Sequence, residues 1–179
     1  MSEIAIIRIT EVEGGSVNTL ADAFSKTASE AGHMVHDLTT VLSKTCHCGA
    51  NCIQKGGSGC GDEDCLCRFA ESVPGYDCLV FVFPVDRGFS PTALNRTVHK
   101  LTFNCGESDP KPSKKVFVIA ISENFSEYVF TDAISVISME CTLRNWDYAG
   151  ELLVPGLPDL CLGADPMSRR KAKELASKI

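Results

Sequence analysis

The chain has 179 residues, 44% of them hydrophobic and 22% charged, with a net charge of −6. That length supports one domain with a single core, and the acidic balance excludes the basic surface that nucleic acid or an anionic membrane would need. No apolar run reaches the roughly 20 residues of a membrane-spanning helix, and MSEIAIIRIT lacks the regions of a secretory signal, so the expected location is the cytoplasm.

EIAIIRI (3–9) is a β-branched run and predicts a buried strand. VNTLADAFSKTASEAG (17–32) places Val17, Leu20, Phe24, Ala28 and Ala31 on one helical face, with Ser16 as N-cap and Gly32 as the stop. HMVHDL (33–38) predicts a second strand. Periodicity then vanishes through a glycine-rich stretch and returns in DCLVFVF (77–83), apolar almost throughout, as a central parallel strand covered on both faces should be. Ser90-Pro91 opens a helix whose face is Leu94, Val98 and Leu101. VFVIAIS (116–122) is the fourth strand, and residues 126–143 carry Val129, Ala133, Ile137 and Cys141 at helical spacing. DYAGELLV (147–154) is the fifth strand, interrupted by Gly150. Asp165-Pro166 begins a last helix with Met167, Leu175 and Ile179 facing inward.

Five strands alternating with helices make an α/β fold with a mostly parallel sheet. Central strands then put Ile6, Leu79, Phe81, Val118 and Ile119 among the most buried residues. Ligands of such sheets bind beyond the carboxyl ends of the strands. There, TEVEGGSVNTL (10–20) leaves strand one and enters a helix, which points backbone N–H groups at any anion bound in front of it. Ser16, Asn18 and Thr19 can add side-chain donors or serve simply as caps.

Six of the ten cysteines fall between Cys46 and Cys67, in TCHCGANCIQKGGSGCGDEDCLC (45–67). In a reducing compartment such density points to metal, cluster or redox chemistry rather than to a disulfide framework. Cys48-x3-Cys52 and Cys60-x4-Cys65 also fit the ligand spacing of structural zinc. Cys78 and Cys141 sit in apolar patterns and read as small hydrophobes, while Cys105 and Cys161 adjoin loops. His33, His36 and His99 lie apart, with no nucleophile beside them. Trp146 reads as core.

Taken in order, these features resemble the flavodoxin-like NADPH-dependent FMN reductases and iron–sulfur flavoproteins. The strand-one loop ending Asn18-Thr19 is similar to that family's phosphate loop, which ends Gly-Asn-Thr. The cysteine segment resembles the compact motif of the iron–sulfur members. DCLVFVFPVDRGFSPTALNRTVHKL (77–101) resembles the strand-three signature, a Pro-Val-Tyr turn and a glycine before a helix, with Pro84, Val85 and Gly88 at the matching positions. The resemblance implies a flavodoxin-like three-layer sandwich over residues 1–179, sheet order 2-1-3-4-5, with a cysteine-rich insertion at about 43–67.

It further implies FMN held by Gly14, Gly15, Ser16, Val17, Asn18 and Thr19 and by Pro84, Val85, Asp86 and Gly88. An iron–sulfur cluster would lie on Cys46, Cys48, Cys52 and Cys60, with Cys65 and Cys67 as substitutes and zinc as the alternative. The implied activity is that of an FMN-dependent oxidoreductase or electron-transfer flavoprotein. NAD(P)H or a redox protein would be the partner, and homo-oligomers are compatible with it. The chain departs from the pattern in three places: Glu11 and Glu13 stand in the loop where the family has Gly-Ser-Pro-Arg, Asp86 replaces the turn tyrosine, and the loop after strand four, ISENFSEY, has no glycine. Those carboxylates favour the other expectation, a flavodoxin-like domain without FMN that binds metal or a protein partner.

Overall fold

Every strand pair in the sheet is parallel, in the order β2-β1-β3-β4-β5. The strands are β1 (Glu3–Arg8), β2 (Met34–Asp37), β3 (Cys78–Pro84), β4 (Lys115–Ser122) and β5 (Asp147–Pro155), each within two residues of its predicted bounds. Between and after them run α1 (Ser16–Glu30), α2 (Thr92–Asn104), α3 (Thr131–Arg144) and α4 (Pro166–Ala176). This is the flavodoxin-like α/β sandwich expected from the sequence. The computed structural model describes residues 1–10, 12–38, 72–86, 92–104, 114–160 and 162–179.

The core is not the single one that the length suggests: alternation along the strands divides it in two, one part on each face of the sheet. Ile4 and Ile6, Val80 and Val82, and Phe117, Ile119 and Ile121 point toward α1 and α4. Ala5 and Ile7, Leu79, Phe81 and Phe83, and Val116 and Val118 point toward α2 and α3. Phe24 of α1 meets Phe117 with ring centroids 6.0 Å apart and planes tilted by 56°, an arrangement favourable beyond simple burial. Ile6, Leu79, Phe81, Val118 and Ile119 are all at most 2% exposed, as central parallel strands require.

Several expectations need correction. Ser16 is not the N-cap of α1. Gly15 is, and it has no side chain to cap with. Ala31 is exposed, because the helix ends at Glu30 and Ala31 already belongs to the turn that Gly32 closes with φ +87°. Met167 is 51% exposed: the inward stripe of α4 is Ser168, Ala172 and Leu175, and Met167 lies about 100° off it. The helix expected from residue 126 begins as a 3-10 turn, Glu127–Phe130, before α3 proper. The Ser90-Pro91 start of α2 lies outside the described residues. No described helix is long and apolar enough to cross a membrane.

Candidate functional site

Because all strands are parallel, the loops that leave their carboxyl ends share one rim of the sheet. Strand order reverses there between β1 and β3, the position at which open α/β sheets bind ligands. The loop after β1 and the start of α1 lie at this point, and so does a segment whose sequence carries no motif.

That segment follows β5 and carries Asp159, whose carboxylate reaches across to the start of α1. Asp159 Oδ1 accepts a hydrogen bond from the Val17 amide at 3.1 Å, and Oδ2 accepts one from the Thr10 hydroxyl. The Ser16 hydroxyl donates to the carbonyl of Pro158 at 2.8 Å. Thr10 Oγ1 in turn accepts from the Val12 amide at 3.0 Å, which fixes the hydroxyl between loop and carboxylate. Gly15 is buried against this arrangement. A Cβ there would collide with Asp159 Oδ1 and come within 3.0 Å of Val12 Cγ1. The first turn of α1 has no acidic residue of its own, and the Asp159 carboxylate supplies the negative charge that a helix start favours.

The remaining predicted donors of this loop also have partners. Asn18 Nδ2 donates to the Val12 carbonyl at 2.7 Å, and the Thr19 hydroxyl donates to the Gly15 carbonyl at 3.0 Å. Arg8, the last residue of β1, stands behind them. Its Nη2 pairs with Asp22 at 2.6 Å and with Asp37 at 2.5 Å, while Nη1 donates to the backbone and side-chain oxygens of Asn18 at 3.3 Å. Arg8 therefore clamps α1 and β2 to the end of β1 and sets the position of Asn18. Gly14 turns the chain ahead of the helix with φ +70°, and Glu13 points to solvent.

At the end of β3, Pro84 pairs with Ile121 of β4, and the Val85 amide donates to the Ile121 carbonyl at 2.7 Å. The Val85 side chain is buried in the core, so only its backbone faces the rim. Asp86 is exposed beside it, and Gly88 lies outside the described residues. The loop after β4 adds two aromatics that the sequence reading passed over, Phe125 and Tyr128, 85% and 89% exposed. Phe125 rests one ring edge on Gly156 (φ +74°), where any Cβ would strike the ring at 2.6 Å. The loops after β4 and β5 are joined by bonds from the Gly156 amide to the Asn124 carbonyl and from the Leu157 amide to the Ser122 carbonyl.

Among the described residues, no group of three or more His, Cys, Asp or Glu is placed to hold a metal ion. Cys46, Cys48, Cys52, Cys60, Cys65 and Cys67 lie outside the described residues, as do Cys105 and Cys161. Cys78 and Cys141 are buried, and desolvation pushes both up to about 12, which keeps them as neutral thiols near neutral pH. Trp146 is buried just ahead of β5, at the opposite end of the sheet from the rim, with the Arg144 guanidinium 5.3 Å from its ring centre.

No protein-family model matches the sequence, and no curated protein does. Solved structures match it over nearly the whole chain. An azoreductase from Bacillus anthracis str. Sterne superposes with a TM-score of 0.70 at 16% identity, covering 100% of both chains. A flavodoxin of Streptococcus pneumonia TIGR4 gives 0.61 at 11% identity, over 98% of this chain and 95% of the other. An NAD(P)H:quinone oxidoreductase from Methanothermobacter marburgensis gives 0.59 at 14% identity, again over 98% and 95%. Strand order, parallel register and these superpositions agree: the chain is built on the flavodoxin-like fold that azoreductases, flavodoxins and NAD(P)H:quinone oxidoreductases share.

Proposed function

We propose that this protein is an FMN-dependent oxidoreductase or electron-transfer flavoprotein that binds the flavin at the rim between the loops after β1, β3 and β4. One observation carries the reading. The Val17 amide and the Thr10 hydroxyl, at the switch point of the sheet, already hold an oxyanion, the carboxylate of Asp159. The donor set is thus of the kind a phosphate monoester needs, at the place where this fold binds ligands.

Thr10, Ser16 and the amide of Val17 would hold the phosphate. The 84–86 turn and the exposed rings of Phe125 and Tyr128 would flank the flavin. FMN would supply hydride acceptance and stepwise electron transfer, with NAD(P)H or a redox protein as the electron source. The chain's own part is to orient and shield: Arg8 fixes the phosphate loop through Asn18, and Val85 anchors the turn to the core. A cluster on Cys46, Cys48, Cys52 and Cys60 is what the resemblance to the iron–sulfur members implies, and zinc, which the spacing also fits, is the alternative.

Occupation of those donors by Asp159 favours a second reading, a flavodoxin-like domain that works without flavin as a metal-binding or interaction subunit. Absorption spectra of anaerobically purified protein separate the two, before and after addition of FMN and gel filtration. Flavin bands that bleach when NADPH or dithionite is added are expected. Protein that carries no flavin band even after incubation with FMN leaves the second reading. Iron, acid-labile sulfide and zinc measured on the same sample identify what the cysteines hold.

A further inference from the structure

We infer that Asp159 is a built-in competitor for the flavin phosphate, so that this chain keeps its own anion cradle closed until the 158–159 segment is displaced. The inference takes from the proposed function only the identity of the competing group. The closure itself rests on geometry.

The same donors cannot serve two anions at once. Thr10 Oγ1 and the Val17 amide each point their proton at Asp159, and the Ser16 hydroxyl is spent on the neighbouring Pro158 carbonyl. Gly15 approaches the carboxylate so closely that not even a methyl group fits between them. A phosphate placed at the start of α1 would meet both this steric limit and a like charge at contact distance. Displacing the one short segment releases all three donors together, two hydroxyls and an amide, which is the set a phosphate monoester can take over.

The exchange is balanced. Each hydrogen bond that Asp159 gives up is remade to the incoming phosphate, and the freed carboxylate, only half-buried to begin with, is hydrated. A dianion gains more than a monoanion from the helix start, so a sufficiently concentrated phosphate ligand wins and a dilute one does not. α1 itself supplies nothing comparable: it has no acidic residue in its first turn, and its N-cap is a glycine. A carboxylate more than 140 positions away has taken that role.

A purely structural cap would look the same in a static structure, and binding distinguishes the two. FMN, riboflavin and inorganic phosphate are titrated against flavin-free native protein, Asp159→Asn and Asp159→Ala, with flavin fluorescence and thermal unfolding as readouts. Asp159→Asn keeps an oxygen for the Val17 amide and guards against an unfolded Asp159→Ala. If about a tenth of native molecules are open, apparent affinity is reduced about tenfold. Asp159→Ala, which empties the cradle, should therefore bind FMN about tenfold more tightly, and Asp159→Asn, which loses the charge but keeps the Val17 bond, should gain less, with riboflavin, which lacks the phosphate, unchanged in both. Should no form bind flavin, phosphate raising the melting temperature of the variants but not of the native chain, against chloride at equal ionic strength, still supports the closure while the flavin reading falls. Equal gains for riboflavin and FMN would show a steric plug rather than anion exchange, and overturn it. So would variants that are folded, yet bind FMN and phosphate no better than the native chain.

Discussion

Gly15 packs directly against the carboxylate of Asp159, and the contact leaves no room for a side chain at position 15. The backbone of Gly15 is extended (φ −69°, ψ −178°), which any residue tolerates, so an alanine there suffers from the contact alone. In Gly15→Ala the carboxylate must leave the Val17 amide, a loss comparable to removing an N-cap, about 1 kcal/mol. The lower chain entropy of alanine in the unfolded state offsets part of it. The decisive measurement is a double-mutant cycle in urea. In an Asp159→Ala background the penalty of Gly15→Ala should shrink by about 0.5 kcal/mol or more, and strict additivity would show that the two residues do not interact.

Arg8→Met should cost about 1–2 kcal/mol, well short of the 3–5 kcal/mol typical of breaking a buried ion pair. The reason is the asymmetry of the cluster. The Arg8 side chain is only 10% exposed, but Asp22 and Asp37 are 67% and 43% exposed, so both carboxylates rehydrate once the cation is gone. Loss of the two Nη1 bonds to Asn18 accounts for much of the effect. Urea denaturation of the variant checks the magnitude. A cost above 3 kcal/mol would mean that the carboxylates stay desolvated.

Burial raises Cys78 and Cys141 from an ordinary value near 9.0 to about 12. Both should resist iodoacetamide in native protein at pH 8 and become labelled only after denaturation, as peptide mapping by mass spectrometry will read. The linkage has a definite sign. A folded-state value above the unfolded one gives stability that is intact below about 9.0 and is lost as pH rises toward about 12. Replacing both cysteines by alanine should therefore flatten the alkaline limb of stability against pH, and an unchanged limb would refute the assignment.

Asp165 caps α4 through bonds from the Ser168 hydroxyl, the Ser168 amide and the Met167 amide, and these hold its carboxyl below the ordinary 3.8. A depressed folded-state value gives stability that is present above about 3.8 and disappears as pH falls through the lower value. Asp165→Ala should cost about 1 kcal/mol near pH 7. The difference from native protein should persist at pH 5 and narrow as pH falls below 3.8. A gap that stays constant down to pH 2 would mean that the carboxylate charge plays no part.

The sheet was legible because burial on both faces leaves an unmistakable mark. CLVFVFP and KVFVIAIS are apolar at nearly every position, which amphipathic helices never are. Gly150, which interrupts the strand pattern of β5, marks an actual irregularity. The β4–β5 register shifts there, with Phe117 opposite Gly150, and a Cβ at Gly150 would come within 3.2 Å of Leu175. The strand-one loop suggests, from its glycines and hydroxyls, a helix start that faces an anion. That the Asp159 carboxylate meets it is not legible, because Asp159 in PGLPDL looks like any polar loop residue, and the packing of α4 beside α1 brings that loop near. Phe125 and Tyr128 were missed for the opposite reason: they follow no periodicity, and their meaning is their exposure on the rim.

The bonds joining the loops after β4 and β5 also govern how fast the rim can respond. With the Gly156 and Leu157 amides tied to the Asn124 and Ser122 carbonyls, a release of Asp159 would pivot just beyond Leu157 and leave the sheet undisturbed. Such a short swing belongs to the nanosecond-to-microsecond range of loop motion rather than to slow domain rearrangement. If the chain takes up flavin as proposed, capture would be gated by a pre-equilibrium that relaxes far faster than molecules meet. The native chain and Asp159→Asn should differ in the slope of the association rate against FMN concentration, with no lag and no plateau in either.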